Sequence, residues 1–332
     1  TLGVLGRVHP GPAQLVSRGV DELGQERPLG APVALPELIC TEKTVFAGAT
    51  RSRASWTSLR VTVIIRCIAD RSTVHRVISG STAHGQSAYS LRMEWGLAGA
   101  AAVVPDCDIA VVVDVLSFTT TLTVAADRGV VVYPLPWRKD AAATFAAARA
   151  ATLAVGRSEA RAGQVSLSPA SIRNAQSLER LVLPSPNGSS ISFELARSQA
   201  DVLGCSLRNR AAVASWIQAR RAAAPDIRVA IIPAGEKWPD RSLRPAVEDL
   251  WGAGALISAL HSFGWTDLSP EAFVAATSFE TASAQITQLL RECASGRELI
   301  DSGYEDDVQT ASELDSSSLV PILRGDMFVA NV

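Results

Sequence analysis

The sequence predicts a layered α/β/α protein built on a mainly parallel or mixed sheet. From about residue 84 onward, apolar runs of strand length alternate with Ala-rich stretches of helix length. Hydrophobic residues make up 47% of the chain but aromatics only 5%, so Ala, Val, Leu and Ile must build the core, as suits strands buried on both faces. Repeated β-α units imply parallel strands joined by right-handed crossovers, with helices on both faces. Such sheets take ligands at the carboxyl ends of their strands.

The expected units run in order. Ile109–Val113 is followed by a helix over Thr119–Arg128, Val130–Tyr133 by Asp140–Leu153, and Leu181–Leu183 by Ser189–Ser198. Val202–Cys205 then leads to Arg210–Ala223, and Val229–Ile232 to Ala246–Leu260. Pro270–Ala294 reads as a further helix or helix pair, and the tail from Ser302 is acidic and then apolar.

Residues 1–83 stand apart. They are rich in Pro, Gly, Arg and Ser, carry ten basic residues against six acidic ones, and hold one apolar run, Leu59 to Ile68. With no aromatic interleaving or helical basic face, a nucleic-acid arm is the weaker reading. We read the segment as an N-terminal extension, poorly ordered or outside the native coding sequence, since the chain starts at Thr1 and has no Met before Met93. Residues 84–332 are the functional region.

Composition excludes several classes. A formal charge of −2 argues against a dedicated nucleic-acid binder. No apolar run reaches the roughly 18 residues needed to span a bilayer, and the N-terminus lacks a secretory signal pattern, which gives a cytoplasmic expectation. The five cysteines (Cys40, Cys67, Cys107, Cys205, Cys293) show no CxxC spacing, and the four histidines are dispersed. Catalysis is therefore expected from carboxylates, amides, hydroxyls and arginines.

Four strand-to-helix turns carry such residues. In CDIAVVVDVLSFTTT, Asp114 ends an apolar strand, and Ser117, Thr119, Thr120 and Thr121 open a helix. A carboxylate beside hydroxyls and helix N–H groups suits a phosphate or a metal bridging to one, although Asp114 could equally cap the helix. In LPSPNGSS, Gly188 allows close backbone approach, and Asn187, Ser189 and Ser190 supply donors for an anion nest; a structural Asn-Gly turn is the alternative. In GCSLRNRA, Arg208 and Asn209 could face an anion or stay solvated and cap the helix. In VAIIPAGEKWPD and VEDLWGAGAL, Glu236, Glu248 and Asp249 form a candidate hard-cation site, although negative charge also favours a helix start. A fifth segment, SGYEDDVQ, adds Asp306 and Asp307. Hydroxyls, amides, an Arg and carboxylates without histidines suit phosphate-ester chemistry with a hard metal.

The order and content of DVLSFTTTLTVAADRG, GRSEARAGQVSLSPAS, LPSPNGSSIS, GCSLRNRAAVA, PAGEKWPD with VEDLWGAGAL, and CASGRELIDSGYEDDVQTASELDSSSLVP resemble the 2-phosphosulfolactate phosphatases. These are the ComB-type, magnesium-dependent acid phosphatases of coenzyme M biosynthesis, and the resemblance spans about residues 84–328. It implies a ComB-like fold and hydrolysis of a phosphate monoester of a small 2-hydroxy acid, 2-phosphosulfolactate giving sulfolactate and phosphate, with Mg2+ as cofactor. It is compatible with a homo-oligomer. Asp114, Asn187, Gly188, Asn209, Glu236, Glu248, Asp249 and Asp307 fall on the family's recurrent polar positions. From these we expect catalysis by Asp114, Asn187 and Glu236. Metal ligands are expected from Asp114, Glu236, Glu248, Asp249 and Asp307, with Asp114, Glu236 and Asp249 preferred. Substrate contacts are expected from Ser117, Thr119, Thr120, Gly188, Ser189, Ser190, Arg208 and Asn209. Where many members carry Arg-Ala after Asp-Val-Leu, this chain has Ser117-Phe118, so that turn lacks a cation. The rival reading is a phosphometabolite-binding protein without turnover. A nucleotide-dependent oxidoreductase is disfavoured, because no GxGxxG follows the first strand and no GxxxxGK[ST] occurs.

Overall fold

The computed structural model describes residues 83–136 and 139–331. The reading of the N-terminal extension, with its apolar run and Cys40 and Cys67, therefore lies outside the described residues save for Ala83. The described residues belong to one unit, Arg71–Val332.

Strands and helices alternate as the apolar pattern requires. The first half holds β1 (Leu91–Met93), α1 (Gly96–Val103), β2 (Ile109–Val113), α2 (Phe118–Asp127), β3 (Val131–Pro136), α3 (Lys139–Ala147), β4 (Thr152–Leu153) and α4 (Pro169–Asn174). Next come β5 (Arg180–Ser185), α5 (Gly188–Leu195), β6 (Asp201–Cys205), α6 (Arg210–Ala223), β7 (Val229–Pro233) and a small hairpin of β8 (Glu236–Lys237) and β9 (Leu243–Arg244). The chain continues through α7 (Val247–Ser262), α8 (Pro270–Ala282), α9 (Ile286–Glu292), α10 (Ala294–Asp301) and α11 (Glu305–Ala311) to a second hairpin, β10 (Val320–Arg324) and β11 (Met327–Asn331).

Nine strands form one mixed, mostly parallel sheet in the order β1-β7-β2-β6-β10-β11-β3-β5-β4. β1, β7, β2 and β6 run parallel to one another, as do β3, β5 and β4. The β10–β11 hairpin pairs antiparallel with β6 on one side and with β3 on the other, joining the two parallel blocks. β2 and β7 are buried along their whole length, which is why they read as unbroken apolar runs. Their side chains alternate between two cores. Ile109, Val111 and Val113 pack with α6, α7 and α8, while Ala110 and Val112 pack with α1, α2 and α5. The layered α/β expectation is met.

One element differs from the sequence reading, and two that agree with it take definite form. The helix expected to Leu153 stops at Ala147, because Ala150 adopts a positive φ and Thr152 and Leu153 pair as an edge strand with β5. Pro270–Ala294 divides into α8 and α9, with Ser269 accepting from the Ala272 N–H and Pro270 filling the first helical position. The apolar tail is the β10–β11 hairpin, turned at Gly325 with φ of 64°. No helix among the described residues is long and apolar enough to cross a membrane.

Candidate active site

The site forms where the ends of β2, β5 and β7 meet the starts of α2, α5 and α7. Asp114 follows β2 and is 5% exposed. One carboxylate oxygen accepts the Phe118 N–H at 3.1 Å and the other the Gly188 N–H at 2.9 Å. A single carboxylate thus ties together the first residues of α2 and α5, at the positive ends of both helices. Gly188 must be glycine here, because a Cβ would lie 2.5 Å from the Phe118 ring and 2.7 Å from the Asp114 carboxylate.

Asp249, in the first turn of α7, is the second anchor. Its oxygens accept the Val115 N–H at 2.7 Å and the Gly235 N–H at 2.8 Å, fixing the two residues that follow Asp114 and precede Glu236. Gly235 sits at φ of 66°, a conformation that favours glycine, and Gly252 lets α7 approach β2 so closely that a Cβ would meet Val113 and Val115. Glu236 then enters the site from the small hairpin, and its carboxylate accepts from Asn187 Nδ2 at 2.9 Å. Glu248 is buried behind this group, and the Cys293 thiol, which donates to the Leu290 carbonyl at 3.2 Å, is pushed up to about 12 by burial first and then by Glu248.

Crowding of carboxylates in a buried place shows in their proton affinities. Burial, then Asp114 and Glu248, raises Glu236 to about 7, with Asn187 and Arg244 pulling against it. Asp249 lies well above the usual carboxylate range, from burial first and then from Asp114 and Glu248. Asp114 is also raised by burial, opposed by its two backbone N–H bonds and by Arg157. The cluster is short of positive charge.

Two adjoining cavities open onto it. The smaller, of about 190 Å3, is lined by Asp114, Ser117, Asn187, Glu236 and Arg157 among others. The larger, of about 420 Å3, shares Leu116, Arg157 and Glu236 and adds Ser158, Ser295, Glu298, Ser302 and Tyr304. Sequence reasoning gives Arg157 no role, and only its place in the GRSEARAG segment marked it. The structure makes it the cation of the site: its Nε donates to Asp307 at 2.8 Å and its Nη2 to the Ser117 hydroxyl.

Asp114, Asn187, Gly188, Glu236 and Asp249 come together as expected, with Glu248 behind them and Ser117 at the rim. Other candidates go elsewhere. Arg208, expected to read an anion, is 4% exposed and spends its guanidinium on Thr123 at 2.9 Å, Asp127 at 3.1 Å and Glu313 at 3.1 Å. Asn209 accepts the Ser206 N–H and donates to Gly204 and Leu319 carbonyls, which joins the β6 turn to the C-terminal segment. Thr119 and Thr120 bond backbone carbonyls of Asp114 and Val115, while Ser189 and Ser190 bond those of Leu183 and Ser185. Thr119, Thr120 and Ser189 are fully buried and Ser190 partly so, and each hydroxyl locks its own turn. Asp307, expected as a metal ligand, is 1% exposed and reaches the site only through Arg157, its other oxygen accepting from the Ser168 hydroxyl.

Among the described residues no group of three or more His, Cys, Asp or Glu side chains is arranged to hold a metal ion. The donor chemistry nonetheless fits magnesium, which usually takes only one or two carboxylates together with substrate phosphates rather than a full protein cage. Asp114 and Glu236 are the two carboxylates that line the smaller cavity. Asp249, placed in the preferred ligand set by the sequence, does not line it.

Fold and site together define an α/β protein with a carboxylate-rich pocket, holding one arginine, at its strand ends. A family model described as 2-phosphosulpholactate phosphatase matches residues 100–326, and the chain belongs to that family. The name is that of a phosphatase, a phosphoric monoester hydrolase. Comparison with curated proteins gives no match.

Proposed function

We propose that this protein is a magnesium-dependent phosphatase that hydrolyses a phosphate monoester of a small 2-hydroxy acid, with 2-phosphosulfolactate, converted to sulfolactate and phosphate, as its substrate. The observation that carries the reading is the smaller cavity, where Asp114, Glu236 and Asn187 from three strand ends meet one arginine.

Asp114 and Glu236 would hold the ion, and magnesium there supplies Lewis-acid polarisation of the phosphoryl oxygens. Asp114 is preorganised by two backbone N–H groups, so its oxygens keep one orientation through the reaction. Asn187 holds Glu236 through one oxygen and so fixes the carboxylate at the cavity wall, where its other oxygen would serve the ion. Asp249 fixes the backbone on both sides of this pair, and so sets their separation. Leu116, Phe118, Leu167 and Leu183 form the apolar part of the smaller cavity's wall.

Phosphate release from 2-phosphosulfolactate and related 2-phospho-hydroxy acids, with magnesium and with a chelator, tests the reading. Release that stops on chelation is expected. A folded protein that binds these esters and releases nothing would instead be a phosphometabolite-binding protein.

A further inference from the structure

The larger cavity is electrostatically unusual for a site that accepts an anionic alcohol. Its lining includes Glu236 and Glu298, three serines and Tyr304, and Arg157 is the one cation in the lining of either cavity among the described residues. Arg244, the next cation at hand, is turned onto the Ser295 hydroxyl at 3.0 Å and lies over the Trp238 ring. An acid group entering a space that already holds two carboxylates needs a cation there, and among the described residues Arg157 is its source.

The guanidinium is also oriented. Nε is held by Asp307 from α11, a carboxylate that is itself buried and pinned by Ser168. Nη2 is held by Ser117, a residue of the smaller cavity and not of the larger one. Nη1 makes no hydrogen bond to any described residue and belongs to a side chain that is 17% exposed. Two of the five N–H donors are thus used, and both of those on Nη1 remain, on a side chain that lines the larger cavity.

We infer that Arg157, held by Asp307 and Ser117, binds the acid group of the leaving hydroxy acid rather than the phosphoryl group, and so determines which phosphate esters the site accepts. The inference rests on the phosphatase reading for where the phosphoryl group lies. Asp307 acts through Arg157 as a positioning residue. It joins a helix near the C-terminus to substrate choice.

The test compares two esters of similar size, 2-phospholactate, which carries an acid group, and glycerol 2-phosphate, which does not. The readout is the ratio of their kcat/KM values, which a merely structural defect would leave unchanged. In Arg157→Gln the ratio is expected to fall by about 30-fold, mainly through KM for the acid-bearing ester, the scale of a lost charge-assisted hydrogen bond. Arg157→Lys should restore part of it, and Asp307→Asn should shift it the same way by a smaller factor. A loss of equal size on both esters, with the ratio kept within about twofold, would overturn the inference. If the wild-type protein hydrolyses neither these esters nor 2-phosphosulfolactate, the phosphatase reading fails, and titration calorimetry with lactate decides the inference separately. Binding weakened about tenfold or more by Arg157→Gln supports it, and equal binding refutes it.

Discussion

At the scale of single residues, Asp114 has two physical roles that pull in opposite directions. Its carboxylate ties two helix starts, which stabilises them, yet burial beside Asp249 and Glu248 disfavours its charge. Asp114→Asn keeps one acceptor and removes the charge. We expect activity to fall at least about 100-fold while the melting temperature of the metal-free protein stays level or rises. Collapse of the fold would reduce Asp114 to a structural cap. Gly188→Ala makes the converse case, because its added methyl must displace the Phe118 ring or the Asp114 carboxylate. Stability and activity should fall together, by about 1–3 kcal/mol in chemical denaturation for the strain. Both residues were legible in the sequence from a carboxylate at a strand end and an Asn-Gly turn. That they contact each other was not, since 74 residues separate them in sequence and four strands lie between β2 and β5 in the sheet.

At the scale of elements, the turn after β6 shows how a motif of the right composition can be structural. Arg208 looked like an anion reader because it lies between a strand and a helix. The hairpin β10–β11, which the sequence showed only as an apolar tail, pairs with β6 and carries the preceding residues past that turn. Glu313 and Asp127 then take the guanidinium, so Arg208 braces α2 against the C-terminal segment. Arg208→Ala should therefore lower stability by roughly 2–3 kcal/mol, discounted for partners that are partly exposed, and leave KM little changed. A raised KM with unaltered stability would return Arg208 to the substrate. Gly235 and Gly252 were equally hidden as site residues. Their part is to let α7 and the β8–β9 hairpin close on β2, which is a property of packing distance rather than of local pattern.

For the whole molecule, the carboxylate cluster makes stability depend on pH in a defined direction. A carboxyl whose proton affinity is raised by folding stabilises the fold while protonated, and that contribution is lost as pH rises from the unfolded value through the folded one. For Glu236 the window runs from 4.5 to about 7, and Asp114 and Asp249 push the same way. The metal-free protein should thus lose melting temperature between about pH 4.5 and 7. Magnesium should raise it far more at pH 8 than at pH 5, because only the ionised cluster attracts a cation. Equal stabilisation at both values would place the ion elsewhere. The class of fold was readable from alternation and from buried Val-Ile runs, while the mixed topology was not. A strand pair recruited from the chain's last residues leaves no mark on the local patterns that precede it.

The bond from the Gly188 N–H to Asp114 has one more consequence. An amide proton shared with a carboxylate responds in its resonance frequency to the charge on that carboxylate. The Gly188 and Phe118 amides flank Asp114 from two helices, so the pair forms an internal gauge of whatever neutralises it. A nitrogen–proton spectrum followed through a titration would show these two signals moving in step, reporting proton or cation at Asp114 without any label at the site.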